Sequence, residues 1–325
     1  MYIEYIIMGC EGSHMPGIAT HHIFGCALYR LTTEALIGTD ASIREAFLLG
    51  NQGPDPLFYA VVLPIPNITR GIGRLMHRAR TAELLDAMHQ RFIVQGDMPC
   101  RAYALGFLCH YFLDSTVHPL VYAQQKALAL TGIEGLSKQW TGRIVHATIE
   151  TEIDEYMLTT RYGATAATFP PHKIMLNCPT DLLKSISEAL SDTILRVYGL
   201  EAPADLLVNA VNLNRTAQLL YDSRSGGVRR KFDYLGFAGM PSAYVKALSH
   251  SSEPRTQTAF SNADHIAWPH PSIQGQTVSS SFDELYEQAL ETAQDRLPLF
   301  ARPDLPSSFC ETLVNGTNFL GRSVT

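Results

Sequence analysis

The segment Arg101-Ala-Tyr-Ala-Leu-Gly-Phe-Leu-Cys-His-Tyr-Phe-Leu-Asp-Ser-Thr-Val-His-Pro119 places ionisable groups inside an apolar run. From Ala102 to Leu113 every helical face is apolar apart from His110, the pattern of a helix buried on all sides. His110 and Asp114 are four residues apart, so they stack on one face with Cβ atoms roughly 6 Å apart. A buried carboxylate without a partner is costly, so Asp114 is expected to be protonated, ion-paired or bound to a cation. His118 adds a nitrogen one turn on, where Pro119 is expected to end the helix. A second helical stretch, Arg143-Ile-Val-His-Ala-Thr-Ile-Glu-Thr-Glu-Ile-Asp154, repeats the nitrogen-plus-carboxylate spacing with His146 and Glu150 among isoleucines and a valine. Upstream stand His21-His22 at the start of the first helix, Asp55 in a Gly-Pro-Asp-Pro turn, and His77 near the start of another helix. Imidazole and carboxylate without thiolate suit zinc, and more than four such groups suggest a multinuclear site.

Several neighbours are read without a role. Glu152, Asp154 and Glu155 look like a solvated acidic face, and His89 and His172 like surface residues. His22 reads as a surface or hydrogen-bonded core residue. Trp268 and His270 are expected to pack a loop onto the core, and Arg229-Arg-Lys231 after Ser225-Gly-Gly227 to be a solvated basic loop.

The elements that must position these groups are helical. Apolar residues recur at three and four spacing in 18–36, 42–50, 80–94, 101–118, 138–160, 180–199, 204–222 and 282–296, and no stretch alternates over six residues. This predicts an all-α protein, with Pro and Gly clusters as connections and the region 223–280 as a linker or surface excursion before a last helix starting near Ser280. With 325 residues, 46% hydrophobic and 17% charged, the chain can bury an ample core. A net charge of −6 gives no global attraction to nucleic acid, so no stable nucleic-acid binding is expected. Six cysteines without a CxxC read as reduced, mostly buried thiols. No signal peptide and no apolar stretch approaching the ~20 residues of a spanning helix is found, which points to the cytoplasm. Gly12-Ser-His-Met15 matches the remnant of a cleaved purification tag, while Met15-Pro16 reads equally as a natural start. Residues 1–15 are taken as an extension or tag-derived segment and 16–325 as one domain.

The order Thr20-His21, Gly53-Pro-Asp55, Met76-His77, His110-Tyr-Phe-Leu-Asp-Ser-Thr-Val-His118 and His146-Ala-Thr-Ile-Glu150 resembles the bacterial zinc-dependent phospholipase C family. Asn262-Ala-Asp-His-Ile-Ala-Trp-Pro-His-Pro271 and Ser280-Ser-Phe-Asp-Glu-Leu-Tyr look like its intracellular branch. The resemblance implies a phospholipase C/P1-nuclease-like helical bundle around two or three zinc ions. Asp55, His77, His110 and Asp114 would hold one, His118, His146 and Glu150 a second, and His21 with Asp114 as a bridge a third. In secreted members the third is completed by the amine and carbonyl of a mature N-terminal tryptophan, which this chain lacks. A chain beginning at Pro16 could offer its amine; otherwise the third site is incomplete or borrows His14 or His22.

The implied reaction is in-line attack by zinc-bound hydroxide on a phosphodiester, with Asp55 as ligand and general base. The substrate would be a small phosphodiester or a phospholipid head group. A lipase needs an apolar surface by the site, which Leu57–Ile65 could supply unless it is core. A nuclease needs aromatic stacking and a basic groove. A metal-binding scaffold without turnover is the reading from a different class. The oligomeric state is not legible.

Overall fold

Among the residues described by the computed structural model (17–63, 65, 71–130, 132–135, 137–221 and 242–323), thirteen α-helices carry the fold. Helix α1 (Ile18–Leu28) continues through a π turn (Tyr29–Thr33) into α2 (Glu34–Ile37), followed by α3 (Ala41–Gly50), α4 (Ile72–Arg78) and α5 (Thr81–Met88) with its π extension His89–Val94. The long pair α6 (Met98–Ala129) and α7 (Lys138–Tyr162) comes next. Then follow α8 (Pro171–Ile174), α9 (Thr180–Tyr198), α10 (Leu206–Tyr221), α11 (Ser242–Ala247), α12 (Phe282–Phe300) and α13 (Phe309–Val314). The only described strands, β1 (Trp268–Pro269) and β2 (Thr277–Val278), form a two-residue antiparallel ladder. None of the described helices is long and apolar enough to cross a membrane.

Helix α6 is the axis. Asp97 caps it by accepting from Cys100 N at 3.0 Å, and its residues from Ala102 to Leu113 are all buried, as apolarity on every face requires. Helices α3 and α12 pack on it, while α7 packs on both α6 and α1. Ser137 caps α7, and Gly163 at φ 60° ends it in the left-handed conformation that glycine adopts without strain. A capping box between Ser281 and Glu284 starts α12.

Two expectations about the elements need correction. Pro119 does not end α6, which runs ten residues further, to Ala129. A proline removes one backbone donor and frees the carbonyl of Ser115, and burial of this helix among its neighbours outweighs that loss. The stretch before Ser280 is not a bare excursion: α11 packs on α7, and α13 follows α12. The five described cysteines (Cys26, Cys100, Cys109, Cys178, Cys310) are free and buried, as expected. Trp268 also behaves as expected. It is buried and donates from Nε1 to Ser280 O at 3.1 Å, with the His270 ring stacked 6.2 Å away.

Candidate metal centre

Five segments deliver buried imidazoles and carboxylates to one place. Helix α1 brings His21, the 3-10 turn Asp55–Val62 brings Asp55, α4 brings His77, α6 brings His110, Asp114 and His118, and α7 brings His146 and Glu150. All eight are buried. His77 stands at the end of α4, not near the start of a helix as its sequence suggested. Gly53 precedes Asp55 at φ 53°, a conformation that favours glycine, and a Cβ there would run into the His110 ring. The turn can therefore lie directly on α6.

The ligand-type atoms form three groups: His21, His110 and Asp114; Asp55, His77 and His110; His118, His146 and Glu150. Asp114 lies between them. Its Oδ1 is 3.1 Å from His21 Nε2, and its Oδ2 is 3.1 Å from His110 Nε2, 3.5 Å from the His118 ring and 3.7 Å from His77 Nε2. Asp55 Oδ1 is 3.0 Å from His77 Nε2, and Glu150 Oε1 is 2.9 Å from His146 Nε2 and 3.6 Å from His118 Nε2.

Four of the imidazoles are oriented from behind. His77 Nδ1 donates to Gly73 O at 2.7 Å, His110 Nδ1 to Asn51 O at 3.1 Å, His118 Nδ1 to Phe319 O at 2.9 Å and His146 Nδ1 to Gln125 Oε1 at 2.8 Å. A carbonyl oxygen only accepts, so each Nδ1 carries a hydrogen and each ring turns its Nε2 toward the cluster, that of His146 reaching Glu150 Oε1 at 2.9 Å.

The front of the cluster is different. Both oxygens of Asp55, Asp114 Oδ2, Glu150 Oε2, His110 Nε2 and His21 Nδ1 are buried without a hydrogen-bond partner. Asp55 Oδ1 and Asp114 Oδ2 lie 3.0 and 3.1 Å from His77 Nε2 and His110 Nε2 without the alignment of a hydrogen bond. Lone pairs crowded this way without donors between them fit a cation, and the nitrogen–oxygen donor set without sulfur fits zinc.

The electrostatics agree. Burial would raise Asp114, but the imidazoles of His110 and His118 hold its carboxyl well below the usual range. Burial likewise opposes ionisation of Glu150, and His146 and His118 overcome it. Burial, with the Asp114 and Glu150 carboxylates adding to it, pushes Asp55 up to about 7; burial, with His118 and His21 adding to it, pushes His77 down to about 4, and burial also lowers His110. His21 is raised against burial by Asp114, and His118 is raised to about 9 by Asp114 and Glu150.

The acidic run beyond Glu150 is not a solvated face. Asp154 is buried and accepts from Ala19 N, Thr20 N and the Thr20 hydroxyl at 2.9, 2.8 and 2.6 Å. It caps α1 from another helix. Glu155 is also buried and accepts from Arg255 Nε at 2.7 Å, while Glu152 takes Arg255 Nη1 at 2.9 Å. The sequence read these as exposed because they are charged and consecutive, but α7 is covered by α1 on one side and the 249–262 segment on the other.

His22 is a core residue, 3.5 Å from Cys26 Sγ and tilted on the Phe169 ring. His89 is buried, with Nε2 donating to Arg302 O at 2.7 Å, so it is no surface residue; His172 is half-buried. Leu57 and Ala60 are core, not exposed surface. His14, Pro16 and Arg229-Arg-Lys231 lie outside the described residues. A cleft reaches the cluster at His21, Asp114, His118 and Glu150, with Gly17 and Thr20 also lining it.

The model of the family described as zinc-dependent phospholipase C matches residues 20–199, more than half of the chain and every residue from His21 to Glu150. No curated protein and no solved structure matches the chain.

Proposed function

Because the chain belongs to the zinc-dependent phospholipase C family, we propose that it hydrolyses a phosphodiester of the phospholipid head-group type at this centre. The observation that carries the reading is the convergence of eight buried imidazoles and carboxylates, five of which keep a buried polar atom without a hydrogen-bond partner. Asp55, His77, His110 and Asp114 would hold one zinc, and His118, His146 and Glu150 a second. His21 and Asp114 would hold a third with a ligand from elsewhere, giving two or three ions.

When bound, zinc supplies a Lewis acid for the phosphate and an acidified water as nucleophile. The protein's part is to orient and to take protons. Four rings are fixed by their Nδ1 donors, so their lone pairs stay aimed without reorganisation. Asp55 has two oxygens free of hydrogen bonds, so one can ligate while the other accepts the proton of the attacking water. Asp114 spans the groups and holds their spacing.

The cleft favours a lipid over a polynucleotide. Beside the metal-ligand types, Gly17 and Thr20, its walls are Leu113, Val117, Val121, Ile153 and Phe282, and the described lining holds no cation to track a phosphate backbone. The net charge of −6 points the same way. Reduced, buried cysteines support a cytoplasmic site of action. Zinc analysis followed by assays on bis-p-nitrophenyl phosphate, phosphatidylcholine and single-stranded DNA tests the reading. Lipid and aryl diester cleavage are expected; DNA cleavage alone would make it a nuclease, and zinc without turnover a scaffold.

A further inference from the structure

The matched region ends at residue 199, yet one wall of the centre comes from the far C-terminal end. After α13 the chain makes a turn closed by a bridge between Thr317 and Ser323. Phe319 sits within it, fully buried. Its ring centroid is 5.5 Å from that of His77 and 5.8 Å from that of His110, and Tyr111 and Phe107 flank it at 5.1 and 5.8 Å. Its carbonyl oxygen accepts from His118 Nδ1 at 2.9 Å.

The turn is anchored on two of the helices that carry the cluster, α4 and α6. Asn318 donates from Nδ2 to Arg78 O, beside His77 at the end of α4, at 3.2 Å. Its Oδ1 accepts from Leu320 N and Arg322 N at 3.0 and 3.1 Å, which shapes the turn. Tyr111 on α6 donates to Thr317 O at 3.1 Å. At Gly321, φ 64°, a Cβ would run into Pro119 and the Ser115 carbonyl, the one that the proline leaves without its helical donor.

We propose that Phe319 is a positioning residue for the zinc centre, its carbonyl selecting the tautomer of His118 and its ring bracing His77 and His110. It touches no reacting atom. This rests on the zinc reading above. Groups behind a metal ligand that fix its ring orientation typically contribute 10–100-fold in metal affinity, and here one residue stands behind three.

The test compares Phe319→Ala, Phe319→Leu and Gly321→Ala with a control, Phe300→Ala, which removes an equally buried ring that packs on His89 away from the cluster. Zinc affinity is measured by chelator competition, and the cobalt(II)-loaded proteins are compared by their ligand-field absorption. Phe319→Ala is expected to bind zinc about 10–100-fold more weakly with a shifted cobalt spectrum, and Phe319→Leu to recover most of the loss. Phe300→Ala should lower thermal stability with zinc affinity and spectrum unchanged. Should Phe319→Ala not fold, Gly321→Ala keeps the phenyl group but displaces the turn and is expected to weaken zinc in the same way. Wild-type affinity and spectrum in the folded Phe319 or Gly321 variants, or an equal loss in the control, overturns the proposal. Wild-type protein that takes up no zinc overturns the metal reading itself, and this inference with it.

Discussion

Thr20 gives both its backbone N–H and its hydroxyl to one oxygen of Asp154, at 2.8 and 2.6 Å, and Ala19 N takes the other oxygen at 2.9 Å. Asp154 follows Glu150 by one turn of α7, and Thr20 immediately precedes His21. The helix that presents one ligand type therefore fixes the helix that presents another. Hydrogen bonds to a charged acceptor contribute more than neutral ones, and a cap in this position also meets the positive end of the α1 dipole.

Replacing Asp154 by alanine should cost about 2–4 kcal/mol, because it leaves three buried donors unsatisfied. Asp154→Asn, which still accepts, should cost less. Urea unfolding measures both. Zinc content should fall first at the His21 end, leaving the ion at His118, His146 and Glu150.

Metal removal should destabilise the whole domain. With free zinc at about 1,000 times the dissociation constant, each site contributes about 4 kcal/mol. Scanning calorimetry with and without chelator should show a large fall in Tm that added zinc reverses. An unchanged Tm in fully stripped protein would falsify the metal reading.

Among the carboxylates, Asp114 should matter most for metal and Asp55 most for turnover. Asp114→Asn removes charge from a group facing His21, His77, His110 and His118 and should lower zinc occupancy at more than one position. Asp55→Asn should retain more zinc yet lose about 100-fold or more in kcat, the usual scale for a general base. Zinc content and kcat on an aryl phosphodiester, measured on the same samples, separate the two.

His22 predicts a pH effect. Burial, aided by Arg44, lowers it to about 4 from 6.5. The unfolded chain takes up this proton below 6.5 and the folded chain refuses it until about 4, so stability is full above 6.5 and declines as pH falls through that window. His22→Gln should flatten this dependence in chelator-treated protein, seen as a smaller drop in urea midpoint between pH 7 and pH 5.

The histidine–carboxylate pairs within one helix were legible because four-residue spacing is a local property: His110 with Asp114, and His146 with Glu150. Long helices were legible for the same reason, and 138–160 and 180–199 match α7 and α9 to within two residues. Helix α4, seven residues long, is too short for periodicity to show and was missed. Asp154 was misread because a run of acids looks solvated until the helix across from it is known, although its spacing from Glu150 placed it on the buried face. Phe319, Asn51 and Gly73 act on the histidines through main-chain carbonyls, which any residue type carries, so composition gives no signal for them.

The C-terminal turn also sets a schedule for assembly. His21 through Glu150 leave the ribosome well before Phe319 does, so during synthesis the pocket they form stays open on the side that this phenyl ring later closes. On the zinc reading, stable loading would follow synthesis of the turn around Phe319, and a chain cut before Thr317 would keep its helical body yet hold metal weakly.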